Sequence, residues 1–280
     1  MIKVNGKEIE FTQFPNGETN MNHLSFPSII GSYHVYVDFK YEEDSDLIKL
    51  MFVKEYLDIL MSDNYYILTI YYMPYSRMDR SENGSPFTLK YVSKFINNMK
   101  FDKVNIVEPH SNVSNALIDR SSPALISYNI LETVKREINF DKSVDYLMFP
   151  DLGAQQRLKD MRYENILIGN KVRDFVTGDI RGLDIIGIKK ESSKRVIIVD
   201  DLSSRGGTFV HSSIKLKELG FTEVYLIVAH AENTIFKGEL FDHIDKLFTT
   251  DSILTEQDNE ENEKFKSKLK IYNMEDILND

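Results

Sequence analysis

Residues 195–210 read RVIIVDDLSSRGGTFV, and this stretch decides the fold. Its first part, 196–199, is a continuous apolar run, which is typical of a strand buried on both faces of a sheet. Two carboxylates follow at Asp200 and Asp201, then a turn, and we predict that a helix begins near Thr208. Ligands of such sheets bind beyond the carboxyl ends of the strands, so we expect a functional site here.

The turn after these carboxylates contains groups that bind anions. It consists of Ser203, Ser204, Arg205, Gly206, Gly207 and Thr208. Backbone N–H groups in such a turn, with the N terminus of the next helix, can cradle a phosphate, and glycine allows close approach. Vicinal hydroxyls or a hydrated metal ion are the natural partners of the two carboxylates. The combination predicts a ribose phosphate site, although a glycine turn with a threonine cap is the simpler explanation of the same residues.

Strand and helix patterns alternate along the rest of the chain. Short runs rich in β-branched and aromatic residues, such as 66–72, 104–108 and 225–230, are followed or preceded by amphipathic segments such as 88–99 and 127–138. This alternation predicts an α/β fold in which helices cover mainly parallel sheets.

Composition excludes several classes of protein. The 280 residues carry 34 Lys and Arg against 44 Asp and Glu, a net charge of −10, so we expect no nucleic-acid partner. The absence of cysteine excludes disulfides, thiolate nucleophiles and cysteine metal sites, and it fits a cytoplasmic protein. The apolar runs are far shorter than the ~20 residues of a membrane span, so no membrane partner is expected. The length predicts about two domains.

Five further segments place polar residues after a predicted strand or turn. Alone, each has a simpler explanation as a turn, a charged loop, a lone histidine, a helix N-cap at Asp151 or a pair of surface cations. In an extended segment, however, Lys171 and Arg173 point the same way and can converge on one anion. The segments are Phe14-Pro15-Asn16-Gly17-Glu18, Met73-Pro74-Tyr75-Ser76-Arg77-Met78-Asp79-Arg80, Glu108-Pro109-His110-Ser111, Pro150-Asp151-Leu152-Gly153-Ala154-Gln155-Gln156-Arg157 and Gly169-Asn170-Lys171-Val172-Arg173.

In this order the six motifs resemble those of the ribose-phosphate pyrophosphokinases, or PRPP synthetases, over roughly residue 8 to the end of the chain. The turn after Asp201 also resembles the PRPP motif of type I phosphoribosyltransferases, which share the fold. The resemblance implies an α/β protein with two phosphoribosyltransferase-like domains, each a mainly parallel sheet flanked by helices. We expect an ATP-side domain at 1–127, a domain with the PRPP loop at 128–265, and a C-terminal strand and helix at 266–280 that packs back on the first domain.

The resemblance also implies a reaction and its residues. The β,γ-diphosphate of Mg-ATP would pass to the C1 hydroxyl of ribose 5-phosphate, giving PRPP and AMP, with Lys171 and Arg173 as the catalytic cations. Mg²⁺ would contact Glu108, His110 and Asp151. The ATP site would lie at a subunit interface of a homo-oligomer and use Phe14, Asn16, Glu18, Arg77, Asp79 and His110. Ribose and its phosphate would contact Asp151, Asp200, Asp201, Ser203, Ser204, Arg205, Gly206, Gly207 and Thr208.

Several residues depart from the family pattern. Asn16 replaces an aspartate, Met78 a glutamine and Glu108 an aspartate, and the family's regulatory arginine is missing before Gly31. Arg205 stands in a loop that usually reads Asp-Thr-x-Gly-Thr, which makes the pocket more cationic and allows a bidentate phosphate contact. A larger acceptor, ADP-ribose, is therefore the second candidate; its product would be ADP-ribose 1-pyrophosphate, in NAD metabolism.

Two other classes of function remain open. A phosphoribosyltransferase would consume PRPP together with a base and would need no ATP. An inactive regulatory paralogue would keep the fold without turnover, but the retained Lys171, Arg173, Asp200 and Asp201 argue against it.

Overall fold

The computed structural model describes residues 1–28, 32–61, 63–82, 84–158, 163, 165–173, 180–187, 190, 192–256 and 258–279, with the backbone alone at 171–173 and 180–183. The chain divides into two compact units, Met1–Leu125 and Ile126–Asp280. The boundary lies two residues before the position expected from the sequence.

Strands and helices alternate as the sequence pattern predicts. The strands are β1 (Ile2–Val4), β2 (Lys7–Glu8), β3 (Phe11–Gln13), β4 (Thr19–Met21), β5 (His34–Phe39), β6 (Tyr65–Ile70), β7 (Lys103–Val107), β8 (Ser121–Ala124), β9 (Tyr146–Phe149), β10 (Ile166–Arg173), β11 (Ile180–Ile186), β12 (Arg195–Ser203), β13 (Glu223–Ala231), β14 (Lys246–Thr250) and β15 (Leu269–Tyr272). The α-helices are α1 (Ser45–Leu60), α2 (Thr88–Asn98), α3 (Asn112–Leu117), α4 (Ser127–Glu137), α5 (Leu152–Arg157), α6 (Gly207–Glu218), α7 (Leu240–His243) and α8 (Met274–Asn279). Short 3-10 helices lie at His23–Ser25, Asn233–Lys237 and Glu260–Lys268.

The sheet of the first unit has the strand order β2-β1-β5-β6-β7-β8 over the described residues. β5 to β8 run parallel, whereas β1 is antiparallel to both of its neighbours. Val37, Leu68 and Ile106 come from three adjacent strands and are fully buried in one core. β3 and β4 form a separate antiparallel hairpin.

The sheet of the second unit has the order β11-β10-β9-β12-β13-β14-β15 over the described residues. Every neighbouring pair is parallel except β10 with β11. β12 lies in the middle, and residues 196–199 are fully buried, as their apolar run predicts. On α4, Ile130, Leu131 and Val134 recur at helical spacing and are buried.

The predicted α/β architecture, with two mainly parallel sheets and flanking helices, is confirmed. None of the helices within the described ranges is long and apolar enough to cross a membrane.

The C-terminal segment joins the second unit, although the sequence analysis placed it apart at 266–280. β15 pairs in parallel with β14. The N–H of Met274 donates to the carboxylate of Asp251 at 2.8 Å, and the side-chain amide of Asn129 donates to the carbonyl of Ile277 at 3.2 Å. The expected packing of this segment on the first domain stays a prediction.

Substitution of Ile198 by alanine tests the packing of β12. Ile198 is fully buried in the core of the second unit, so we expect the free energy of unfolding to fall by about 2–5 kcal/mol. Ile186→Ala is the control: its side chain is 57% exposed on β11, and we expect a change below about 0.5 kcal/mol. Urea unfolding followed by circular dichroism measures both, and equal losses would contradict the burial of β12.

Candidate active site

Helix α5 connects the ends of two strands in the second unit. Asp151 follows β9 and caps α5, because its carboxylate accepts a hydrogen bond from the N–H of Ala154 at 2.9 Å. The N-cap predicted for Asp151 is thereby confirmed, while its predicted contacts with ribose and metal stay predictions. The helix is six residues long and ends at Arg157.

Arg157 bridges the two carboxylates near the end of β12. Its Nη2 atom lies 2.5 Å from Oδ1 of Asp200 and 2.6 Å from Oδ1 of Asp201. The N–H of Asp201 also donates to Oδ1 of Asp200, at 2.9 Å. The side chain of Asp201 is 4% exposed and that of Asp200 is 13% exposed, so both are largely shielded from water.

Arg157 only partly offsets the effect of burial and of mutual repulsion on the carboxylate pair. Burial, followed by the charge and hydrogen bond of Asp201, raises the pKa of Asp200 well above its usual range, and Arg157 opposes this rise. The four carboxylate oxygens have more acceptor positions than one guanidinium nitrogen can fill. Vicinal hydroxyls of a sugar are neutral donors, so they can use these positions without adding negative charge.

The serine–glycine loop (203–208) leads from the end of β12 into α6. Gly206 is the N-cap of α6 with φ +81°, a backbone conformation that side-chain-bearing residues rarely adopt. A Cβ at this position would also come within 3.0 Å of Leu240. The first N–H groups of α6 have no carbonyl partner within the helix, so the loop presents the positive end of a 12-residue helix. This geometry suits the predicted anion cradle.

The connection between β13 and α7 (232–239) braces the serine–glycine loop. The hydroxyls of Ser204 and Thr234 lie 3.1 Å apart, and Thr234 donates to Glu232 at 3.2 Å. Because the carboxylate takes the one hydroxyl proton of Thr234, Ser204 is the donor of the hydroxyl pair. A Cβ on Gly238 would lie only 2.4 Å from the carbonyl oxygen of Arg205, so the two backbones are in direct contact.

Three stacked phenylalanines hold this connection in place. The ring of Phe236 lies 6.2 Å from that of Phe241 and 5.8 Å from that of Phe265, and the latter two rings are 4.6 Å apart. Ring stacks of this kind add to the stabilisation that burial alone provides.

In the first unit, the arginine loop (73–80) follows the end of β6. Tyr75 has φ +62°, which is uncommon for a residue other than glycine. Its hydroxyl donates to Oδ1 of Asp44 at 2.6 Å, and the hydroxyl of Tyr41 donates to the same oxygen at 2.6 Å. These two hydrogen bonds lower the pKa of Asp44. Arg77, two residues after Tyr75, is exposed.

Asp79 is a buried carboxylate at the end of the arginine loop. It is 7% exposed, and Nε of Arg80 donates to it at 2.9 Å. Burial acts to raise the pKa of Asp79, but hydrogen bonds from Ser111 and Arg80 and the charges of Arg80 and His110 outweigh it, so the pKa is lowered. Asp79 is therefore ionised, and it contacts the loop that follows β7.

The histidine loop (108–111) follows β7. Glu108 is 2% exposed and has φ +39°, an unfavourable conformation for its side chain. Such strain is more common at functional sites than elsewhere. His110 is half-buried, and Ser111 is the N-cap of α3, because its hydroxyl oxygen accepts from the N–H of Val113 at 3.3 Å.

The tip of the β3–β4 hairpin carries the other residues predicted to contact ATP. Phe14 is 52% exposed. The side chain of Asn16 donates to Glu18 at 2.8 Å, and the N–H of Glu18 donates to Asn16 at 3.2 Å. The tip is therefore stabilised by its own hydrogen bonds, and it exposes an aromatic ring to solvent.

Lys171 and Arg173 lie at the end of β10, so the segment that carries them is extended. β10 pairs with β11, with a shift of register between Val172 and Arg173. The side chains of both cations lie outside the described residues, as does the whole of 174–179. Their convergence on one anion stays a prediction.

The predicted magnesium ligands are divided between the units. Glu108 and His110 lie in the first unit and Asp151 in the second. Within the described ranges, no group of three or more His, Asp or Glu side chains is placed to hold a metal ion. Mg²⁺ usually keeps several waters and binds through one or two carboxylates together with substrate phosphates. The donor set therefore fits Mg²⁺ that is carried by a nucleotide better than a closed protein cage.

Three residues of this site, Arg157, Glu232 and Thr234, have no role among those predicted from the sequence. A signal for Arg157 was present, because it is the last residue of the segment 150–157 that was singled out from the sequence. Glu232 and Thr234 follow the predicted strand 225–230, whose carboxyl end borders the same edge of the sheet.

Comparisons with known proteins agree with this description. No family model matches the chain. Ribose-phosphate pyrophosphokinase of Sulfolobus acidocaldarius is 27% identical over 257 residues, covering 88% of this chain and 84% of that protein. The enzyme of the same name from Pyrococcus furiosus is 27% identical over 261 residues, covering 88% and 86%. The crystal structure of phosphoribosylpyrophosphate synthetase from Mycobacterium smegmatis matches with a TM-score of 0.73 at 14% identity, covering 97% of this chain and 88% of that one.

Fold and site define the class: an α/β protein of two mainly parallel sheets, with polar loops at the carboxyl ends of the strands. Within this class, the chain is similar to the ribose-phosphate pyrophosphokinases, at 25–27% identity over most of its length. The resemblance inferred from the six motifs is thereby confirmed.

Substitution of Gly238 by alanine tests the bracing of the serine–glycine loop. The added Cβ would overlap the carbonyl oxygen of Arg205, so we expect a loss of roughly 1–3 kcal/mol in the free energy of unfolding. Gly207→Ala is the matched control, because its Cβ would meet no atom within 4 Å at the first position of α6; we expect stability to be unchanged or slightly higher. Equal effects in thermal unfolding would contradict the proposed contact.

Substitution of Arg157 by glutamine tests the bridge between the carboxylates. Removal of one partner of a buried ion pair lowers the free energy of unfolding by roughly 3–5 kcal/mol. Because Arg157 is partly exposed, we expect a loss near the lower end of this range. Asp200 has a raised pKa in the folded protein. Its ionisation therefore opposes folding once the pH rises above the pKa that Asp200 has in the unfolded chain. We expect the stability difference from wild type to be larger at pH 8 than at pH 5, measured by urea unfolding; a difference independent of pH would contradict the bridge.

Proposed function

We propose that the protein is an ATP-dependent diphosphokinase that acts on a ribose phosphate. The observation that carries this proposal lies in the second unit. A shielded carboxylate pair, Asp200 and Asp201, leads directly into a loop at the N terminus of α6. Carboxylates that accept from sugar hydroxyls, next to N–H groups that bind phosphate, are the two halves of a ribose phosphate site.

In the proposed reaction, the C1 hydroxyl oxygen of the acceptor attacks the β-phosphorus of ATP. The bond from the β-phosphorus to the oxygen bridging it to the α-phosphorus breaks, AMP leaves with that oxygen, and the hydroxyl proton is released. The acceptor gains the diphosphate, so ribose 5-phosphate gives PRPP. Protein groups in such a transfer mainly position the reactants and neutralise charge. Lys171, Arg173 and Arg77 are proposed for that role.

We assign the remaining groups by their position in the fold. Asp200 and Asp201 accept from the ribose hydroxyls, and the serine–glycine loop binds the 5-phosphate. His110 and the hairpin residues Phe14, Asn16 and Glu18 contact ATP, whose Mg²⁺ neutralises phosphate charge. Because the hairpin tip is exposed, we propose that it completes the ATP site of a second copy in a homo-oligomer. A cysteine-free chain fits the proposed cytoplasmic location.

A second acceptor, ADP-ribose, is favoured by Arg205. This residue is exposed, and its carbonyl is held against Gly238, so its guanidinium emerges from a fixed backbone beside the proposed phosphate site. A guanidinium can bind a second phosphate in a bidentate manner. The product would then be ADP-ribose 1-pyrophosphate.

Release of AMP from Mg-ATP tests the function directly. We expect AMP with ribose 5-phosphate or with ADP-ribose and none without an acceptor, and Lys171→Ala should reduce turnover at least about 100-fold. Lys266→Ala is the control, since this lysine is 54% exposed and pairs only locally with Glu263.

Three outcomes would contradict the assignment. AMP release with neither acceptor would exclude the diphosphokinase. Formation of a nucleotide from PRPP and a nucleobase would favour a phosphoribosyltransferase. Full turnover in Lys171→Ala would contradict the catalytic role proposed for that lysine.

A further inference from the structure

Asp79 lies between two loops of the first unit that the proposed function assigns to ATP. The arginine loop carries Arg77, and the histidine loop carries His110. The carboxylate of Asp79 belongs to the first loop by sequence and accepts a hydrogen bond from Ser111 of the second. It therefore joins the ends of β6 and β7, which are adjacent in the sheet.

The position of Asp79 does not suit direct contact with a triphosphate. Asp79 is 7% exposed, and its carboxylate is engaged by Ser111 and Arg80. An ionised carboxylate repels phosphate oxygens, and this repulsion is stronger away from bulk water. Arg77, only two residues earlier, is exposed and has the charge that phosphates require.

The two loops contain strained backbone that a fixed contact must hold. Tyr75 and Glu108 both have positive φ, and such conformations persist only where surrounding contacts enforce them. The ion pair of Asp79 with Arg80 contributes little to holding the loops, because the side chain of Arg80 is 68% exposed. The hydrogen bond of Asp79 with Ser111 is better placed to hold the two loops together, because Ser111 is fixed as the N-cap of α3.

We propose that Asp79 and Ser111 form a latch that positions Arg77 and His110 for the nucleotide, and that Asp79 does not bind the nucleotide itself. The inference rests on the proposed function for the identity of the ligand. It replaces the direct ATP contact that the sequence predicted for Asp79 with an indirect role, in which a hydrogen bond between two loops sets the spacing of Arg77 and His110.

Ser111→Asp separates the latch from the helix cap. Aspartate is as good an N-cap as serine, so α3 keeps its start, but the new carboxylate repels Asp79. We expect the dissociation constant of a non-hydrolysable Mg-ATP analogue and the KM for ATP to rise about tenfold or more. The KM for the ribose substrate should stay within about twofold, because the latch lies outside the proposed acceptor site.

The double variant Asp79→Asn with Ser111→Asp rebuilds the contact in reverse. The new amide donates to the new carboxylate, which restores a hydrogen bond between the two loops without like charges. We expect nucleotide affinity to return to within about threefold of wild type. A residue that only stabilised the fold would give no such recovery of affinity.

Asp145→Asn is the matched control for loss of a buried aspartate. Asp145 is also 7% exposed, and it also accepts from one arginine, Arg195, and from one further donor, the N–H of Asp141. It precedes β9, at the opposite end of the strand from the candidate site. We expect Asp145→Asn to lower the melting temperature while nucleotide affinity stays unchanged.

Calorimetric titration of the full chain with the analogue gives the decisive values. Unchanged affinity in Ser111→Asp, or no recovery in the double variant, would overturn the latch. Absence of AMP release by the wild type with every acceptor would instead overturn the proposed function, while the analogue titration still tests the latch. If the wild type bound no nucleotide, both proposals would be wrong.

Discussion

The register of β12 against its parallel neighbours is the constraint on which the site of the second unit depends. Ile198 pairs with Met148 of β9, and Ser203 pairs with Ala231 of β13. Because these strands run in the same direction, the residues after each of them emerge at one edge of the sheet. Asp151, the carboxylate pair and Glu232 are brought to this edge by backbone hydrogen bonds, before any side chain contacts another. The polar groups lie at the edge of the sheet because the preceding residues of each strand are apolar and form the buried core.

Concentrated negative charge at that edge has to be balanced within the chain. Arg157 supplies the balance through one guanidinium nitrogen that contacts both carboxylates of the pair. The six-residue helix α5 places it there, and Asp151 caps the other end of the same helix. One short helix thus links two strand ends and couples the position of three acidic side chains. A net charge of −10 is compatible with anionic substrates because the opposing charges are arranged locally.

Those features that depend on local pattern were predictable from the sequence. The runs at 66–72, 104–108 and 225–230 form β6, β7 and β13, and 196–199 is part of the longer strand β12, because apolar runs and turn residues mark such elements directly. β8 was missed because it reads Ser-Ser-Pro-Ala; it is an edge strand, where proline is tolerated. The partners of Asp79 and Asp200 depend on contacts between segments distant in sequence, which no local pattern encodes.

In both units, a loop that follows a strand of the sheet is supported by contacts with a second segment of the chain. In the second unit, the close backbone contact of Gly238 with Arg205 leaves no space for a side chain at that position. In the first unit, Tyr75 is held by Asp44 and Asp79 by Ser111. A loop that must bind phosphate gains from such support, because conformational entropy removed during folding is not lost again on binding. Contacts of this kind also maintain the left-handed conformation of Tyr75, because the hydrogen bond from its hydroxyl to Asp44 offsets the cost of the strained backbone.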